Sequence, residues 1–86
     1  MAKSFADVKL ALEEACDYLR SFTLGRRGFT QQDGVAGIQR VADRCGLMEK
    51  LFADGPDARE ATIIVASAKP RILAAQARLA ILRKDQ

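Results

Sequence analysis

The stretch Pro56–Arg83, PDAREATIIVASAKPRILAAQARLAILR, decides the fold. Within it Val65, Ala68, Ile72, Ala75, Leu79 and Leu82 recur at steps of three and four residues, the spacing that lines one face of an α-helix. Pro70 falls in the middle, where proline removes a backbone hydrogen bond and crowds the preceding turn at about 3 kcal/mol. The register nevertheless holds through it, which two separate helices would have no reason to preserve. The stretch therefore predicts one long, Pro-kinked C-terminal helix of about 40 Å. Pro56 followed by the Asp57–Glu60 pair marks its start. The run from Thr62 to Val65 is rich in β-branched side chains, but no other segment alternates with period two, so a strand there would have no partner.

Working outward, the same rhythm appears twice more. Ser4 precedes Phe5, Val8, Leu12, Ala15 or Cys16, Leu19 and Phe22, with Asp7 placed as an incomplete capping-box partner and Gly25 as the stop. After the loop GRRGFTQQD, Thr30 and Asp33 signal a second start, and Val35, Ile38, Val41 or Ala42, Cys45, Met48 and Leu51 or Phe52 carry the period to Asp54. Gly34 and Gly37 cost roughly 1 kcal/mol each relative to alanine in a helix, which predicts that another helix comes close there. The spacing from Ala42 to Gly46 resembles the turn of a DNA-binding helix-turn-helix. A recognition helix begun at Gly46 would meet Gly55 and Pro56 after eight residues, so an unbroken helix with an internal glycine fits better.

Three such segments in 86 residues predict an all-α fold with one helical domain spanning residues 1–86. The arrangement expected is a three-helix antiparallel bundle with a short first helix and a second of about six turns. No apolar run is longer than the four residues of Ile63–Ala66, far below the roughly 20 a bilayer requires. Acidic residues stand where a signal peptide would carry its apolar core, so a cytoplasmic location is expected, with no membrane partner. Nine arginines against five lysines suggest a GC-rich bacterial or phage coding sequence. Cys16 and Cys45 both lie on apolar helical faces. A hairpin turning near residue 27 sets them about 9 Å apart along the axis, too far for a disulfide, so two reduced thiols are expected.

The chemistry on offer is thin. The chain has no histidine, which removes the usual general base near neutral pH and the commonest metal ligand. Two cysteines alone do not make a zinc site, and the GRRG loop lacks the strand and the Lys-Ser/Thr ending of a phosphate-binding loop. Glu13, Glu14 and Asp17 read as a solvated face. The sequence thus points away from an enzyme, from metals and from cofactors.

Two features point to binding. From Ala61 to Lys84 there are five cations, Lys69, Arg71, Arg78, Arg83 and Lys84, and no acid, so the third helix is a positive rod. Arg26 and Arg27 add charge in the loop, with Phe29 beside them. Arg26, Arg27, Phe29, Lys69, Arg71 and Arg78 are therefore the candidate partner-binding residues, because arginine and aromatic side chains carry binding energy out of proportion to their number. The same helix also carries a second apolar line, Ile63, Ala66, Leu73, Ala77 and Ile81, away from its first. That line is the candidate interface for a second copy. The function expected is a small protein-binding module, of adaptor or inhibitor type, that self-associates through helix three. The alternative is nucleic-acid binding through the basic loop and helix, against which the net charge of only +3 weighs.

Overall fold

The computed structural model describes residues 4–84, which form three α-helices: α1 (Phe5–Thr23), α2 (Gln31–Phe52) and α3 (Ala58–Lys84). Each packs against both others. α1 and α2 run antiparallel, with the Phe5 and Phe52 rings meeting edge to face at 5.1 Å at one end and Gly34 seated on Phe22 at the other. α3 then returns alongside α1 in the same direction. Lys9 Nζ donates to Glu60 Oε1 at 3.1 Å near their starts, and the Arg78 guanidinium lies against Gly25 near their ends.

The cap chemistry read from the sequence is in place at two of the three starts. Ser4 Oγ accepts from the Asp7 amide, and Thr30 and Asp33 form a complete reciprocal capping box. Gly25, at φ +71°, closes α1 with the paired bonds Gly25 N to Phe22 O and Arg26 N to Ser21 O, a left-handed cap that glycine adopts without strain. At α3 the expected capping pair gives way. Glu60 reaches across to Lys9 instead, and the Asp57 carbonyl accepts from the Ala61 amide at 2.8 Å.

The core follows the periodicity. Val8, Leu12, Ala15, Leu19 and Phe22 of α1 close on Val41, Cys45 and Met48 of α2 and on Ala61, Val65, Ala68, Ala75 and Leu79 of α3. Each buried Leu, Phe or Met side chain contributes about 1.5–3 kcal/mol of transfer free energy. At the start of α2 the inward positions are Gly34 and Gly37, and Val35, read from the sequence as a core residue, faces solvent. The reason is space. A Cβ at Gly34 would overlap the Phe22 ring, and one at Gly37 would stand 2.9 Å from Leu19 Cδ1. Only the face without side chains lets α1 come this close, so Val35 is turned outward.

α2 runs unbroken through Gly46, and α3 runs unbroken through Pro70. Pro70 is exposed on the side of α3 away from the core, so the carbonyl that loses its helical donor faces water. Thr62–Val65 is helical throughout.

Candidate interaction surface

At 100° per residue, the α3 positions turned half a revolution from the core line are Ile63, Ala66, Pro70, Leu73, Ala77 and Ile81. All six are exposed, and Ile63, Leu73 and Ile81 retain 58%, 65% and 55% of their accessible surface. No charged side chain interrupts this line from residue 63 to residue 81. α3 is therefore apolar on two opposite faces, one spent on the bundle and one open. The five candidate interface residues all lie on the open face, and Pro70, absent from that set, completes it.

The molecule is elongated, 47 × 21 × 15 Å along its principal axes. Its radius of gyration is 14.0 Å and its accessible surface 5977 Å². A compact 86-residue monomer is expected near about 12 Å and about 5,000 Å².

The candidate partner-binding cations divide by position. Arg26 and Arg27 are exposed in the α1–α2 loop, and Lys69 and Arg71 are exposed on opposite flanks of the open α3 face. Lys69 shares a shallow cleft of ≈330 Å³ with Glu49, Ala53 and Thr62. Arg71 shares one of ≈280 Å³ with Glu13, Cys16 and Asp17 of α1. Arg78 and Phe29 are half-buried. The Arg78 guanidinium packs on the Gly25 turn with its Nε buried and unpartnered, and the Phe29 ring stacks edge to face on Tyr18 at 5.2 Å. Both act in part as internal struts that hold the loop to α1 and α3.

Arg20, Arg26, Arg27, Arg78, Arg83 and Lys84 gather at the end of the bundle where α1 and α3 finish and α2 begins. The opposite end carries Asp7, Glu49, Asp54, Asp57 and Glu60 among Lys9, Lys50 and Arg59. Among the described residues the first end holds these six cations against Asp33, and the second holds five acids among three cations.

One polar cluster escapes sequence reasoning because its members are distant in the chain. Tyr18 donates its hydroxyl to Asp33 Oδ1 at 3.1 Å while the Arg40 guanidinium sits 5.1 Å above the Tyr18 ring. The Thr30 amide, then the Tyr18 and Thr30 hydroxyls, hold the Asp33 carboxyl below its ordinary range. These bonds are consumed in fixing the start of α2. A second feature without a sequence signal is an open groove of ≈710 Å³ between α1 and α2, floored by Val8, Ala11, Ala36 and Leu47 with Arg40, Arg44, Asp7 and Asp43 along it.

Cys16 is half-buried, Cys45 is buried, and both are free. Burial pushes both thiols up, with Arg71 opposing the effect at Cys16. A thiol so displaced is mostly protonated at neutral pH and a poor nucleophile. Among the described residues no cluster of three or more His, Cys, Asp or Glu side chains could hold a metal ion, and no helix is long and apolar enough to cross a membrane. No family model, no curated protein and no solved structure matches the chain.

Proposed function

We propose that this chain is a small, non-enzymatic protein-binding module that self-associates through the outer face of α3. The observation that carries the reading is the uninterrupted apolar line Ile63, Ala66, Pro70, Leu73, Ala77 and Ile81, exposed on the side of α3 that the bundle does not use. A stable interface needs about 600 to 1,000 Å² from each partner.

The reading is tested by light-scattering mass of the wild type and of Leu73→Asp. Leu73 makes no core contact, so the variant keeps its helicity by circular dichroism. The expected result is twice the 9.4 kDa chain mass for the wild type and the single mass for the variant. A wild type that stays at the single mass at high micromolar concentration overturns it.

The basic end of the bundle favours a second reading, nucleic-acid binding through Arg26, Arg27, Arg83 and Lys84. Phosphate contacts make affinity fall steeply with salt, and each cation removed flattens that slope by about one unit. Failure of DNA and RNA to retain the protein at low salt eliminates this second reading.

A further inference from the structure

The apolar line on the outer side of α3 is ringed by positive charge. Arg59 stands on the same line one turn before Ile63, and Lys84 stands one turn after Ile81. Lys69 borders the line on one side, and Arg71 and the half-buried Arg78 border it on the other. The one acid of α3, Glu60, is held by Lys9 of α1, and theirs is the only ion pair among the described residues. None of the five cations is therefore paired with a carboxylate among those residues. Glu13 and Asp17 share a cleft with Arg71, and Glu49 shares one with Lys69, but these acids belong to α1 and α2 and lie beside the line, not across it. Arg59 also occupies the first turn of α3, where a positive charge opposes the helix dipole. No described acid offsets that cost by pairing with it.

A second α3 meets this ring at a disadvantage in either direction. In parallel pairing every cation faces its own copy, and in antiparallel pairing Arg59 of one copy faces Lys84 of the other. Like charges set across an interface work against a partner, and opposite charges select one. The segment that suits this face is therefore apolar in the middle and acidic on its borders. Its form is a helix, because α3 offers no sheet edge for an extended peptide to join, and its ridges at steps of three and four receive the ridges of another helix. Ile63 to Ile81 covers about 27 Å, so the partner helix runs about five turns. We propose that the outer face of α3 is the docking site for an acidic amphipathic helix of another protein, whose apolar stripe seats on Ile63, Leu73 and Ile81 and whose border carboxylates meet Arg59, Lys69, Arg71 and Lys84. The proposal rests on the protein-binding reading above and names the partner's chemistry. A second copy and the acidic helix compete for one face, and charge favours the helix. An anionic membrane fits the face less well, since α3 carries no Phe, Tyr or Trp to anchor among headgroups.

The test titrates the full chain with a fluorescein-labelled synthetic helix of about five turns, leucine along one stripe and glutamate along both borders, and with twins in which glutamine or lysine replaces the glutamate. The expected result is that the glutamate helix binds about tenfold or more tighter than the glutamine twin, that the lysine twin does not bind, and that affinity falls as salt rises. Methyl shifts then fall on Ile63, Leu73 and Ile81 and not on the exposed Leu10 and Val35. Reversing two charges of the ring, Arg59→Glu with Lys69→Glu, weakens the glutamate helix by about tenfold and leaves the circular dichroism unchanged. Equal binding of the glutamate and glutamine helices, or shifts away from α3, overturns the proposal. Phosphatidylglycerol vesicles that outcompete the glutamate helix overturn it as well. If no helix binds while light scattering gives the paired mass, the acidic partner falls and self-association stands. If the glutamate helix binds while the chain alone keeps the single mass, self-association falls and the docking site stands. A single mass with no helix bound overturns both.

Discussion

Alanine substituted at two glycines of one helix should move stability in opposite directions. In a helix interior alanine is favoured over glycine by roughly 1 kcal/mol because the backbone loses less freedom on folding. Gly46 is exposed and a Cβ built on it meets no heavy atom within 4 Å. Gly46→Ala should therefore gain about 1 kcal/mol, which for a domain of this size is roughly 4–8 °C in Tm. Gly34 has the same helical backbone, but its Cβ would overrun three atoms of the Phe22 ring. That ring is 1% exposed and has nowhere to swing. Overpacking of a filled core costs about 1–3 kcal/mol, and overlap with a rigid ring belongs at the upper end. Net of the helical gain, Gly34→Ala should lose about 2 kcal/mol, or roughly 8–16 °C. Thermal unfolding followed by circular dichroism at one fixed protein concentration reads both. If Gly34→Ala stabilises as Gly46→Ala does, α1 and α2 do not approach through that glycine and the packing described here is wrong.

Three further outcomes follow from particular contacts. Because the folded structure holds the Asp33 carboxyl below its ordinary range, its contribution is present above the unfolded carboxylate pKa and is lost as pH falls through the folded value. The Tm gap between wild type and Asp33→Asn should accordingly be widest at neutral pH and close in strong acid. The Lys9–Glu60 pair is exposed at both ends, and exposed pairs contribute little. Lys9→Ala should leave Tm nearly unchanged, and a large drop would mean that the pair organises the start of α3. Cys45, buried in the core and free, should react with a thiol reagent only as fast as the native structure opens, whereas Cys16 reacts sooner. Equal native-state rates would contradict the burial.

What the sequence revealed and what it concealed follow one rule. Hydrophobic periodicity reports which side of a helix is apolar, and it placed the core faces of α1 and α3, with Ala15 rather than Cys16 buried, Ala61 added at the start of α3, and Ile72 and Leu82 only partly buried. It also exposed the second line on α3, since an amphipathic helix needs only one. It does not report which neighbour lies opposite. Val35 was read as core because glycine carries no hydropathy signal, although Gly34 and Gly37 were already flagged as points of close approach. Arg78 and Phe29 stand among the candidate partner-binding residues, and nothing local in the sequence reveals that Arg78 packs on Gly25 or Phe29 on Tyr18. The Tyr18–Asp33 bond and the Lys9–Glu60 pair join residues 15 and 51 positions apart, and such pairings emerge only once the helices are laid together. Glu60 shows the competition directly, as its carboxylate takes a cation on α1 in place of the cap it was expected to complete.

The most direct measurement is the concentration dependence of the methyl resonances across the dilute-to-millimolar range. Ile63, Leu73 and Ile81 lie on the open α3 face, while Leu10 and Val35 are comparably exposed apolar residues on other helices and serve as internal controls. Shifts confined to the three α3 residues are the expected result. Resonances that all stay fixed, or that move at Leu10 and Val35 and not on α3, would contradict the outer face of α3 as the surface through which this chain binds.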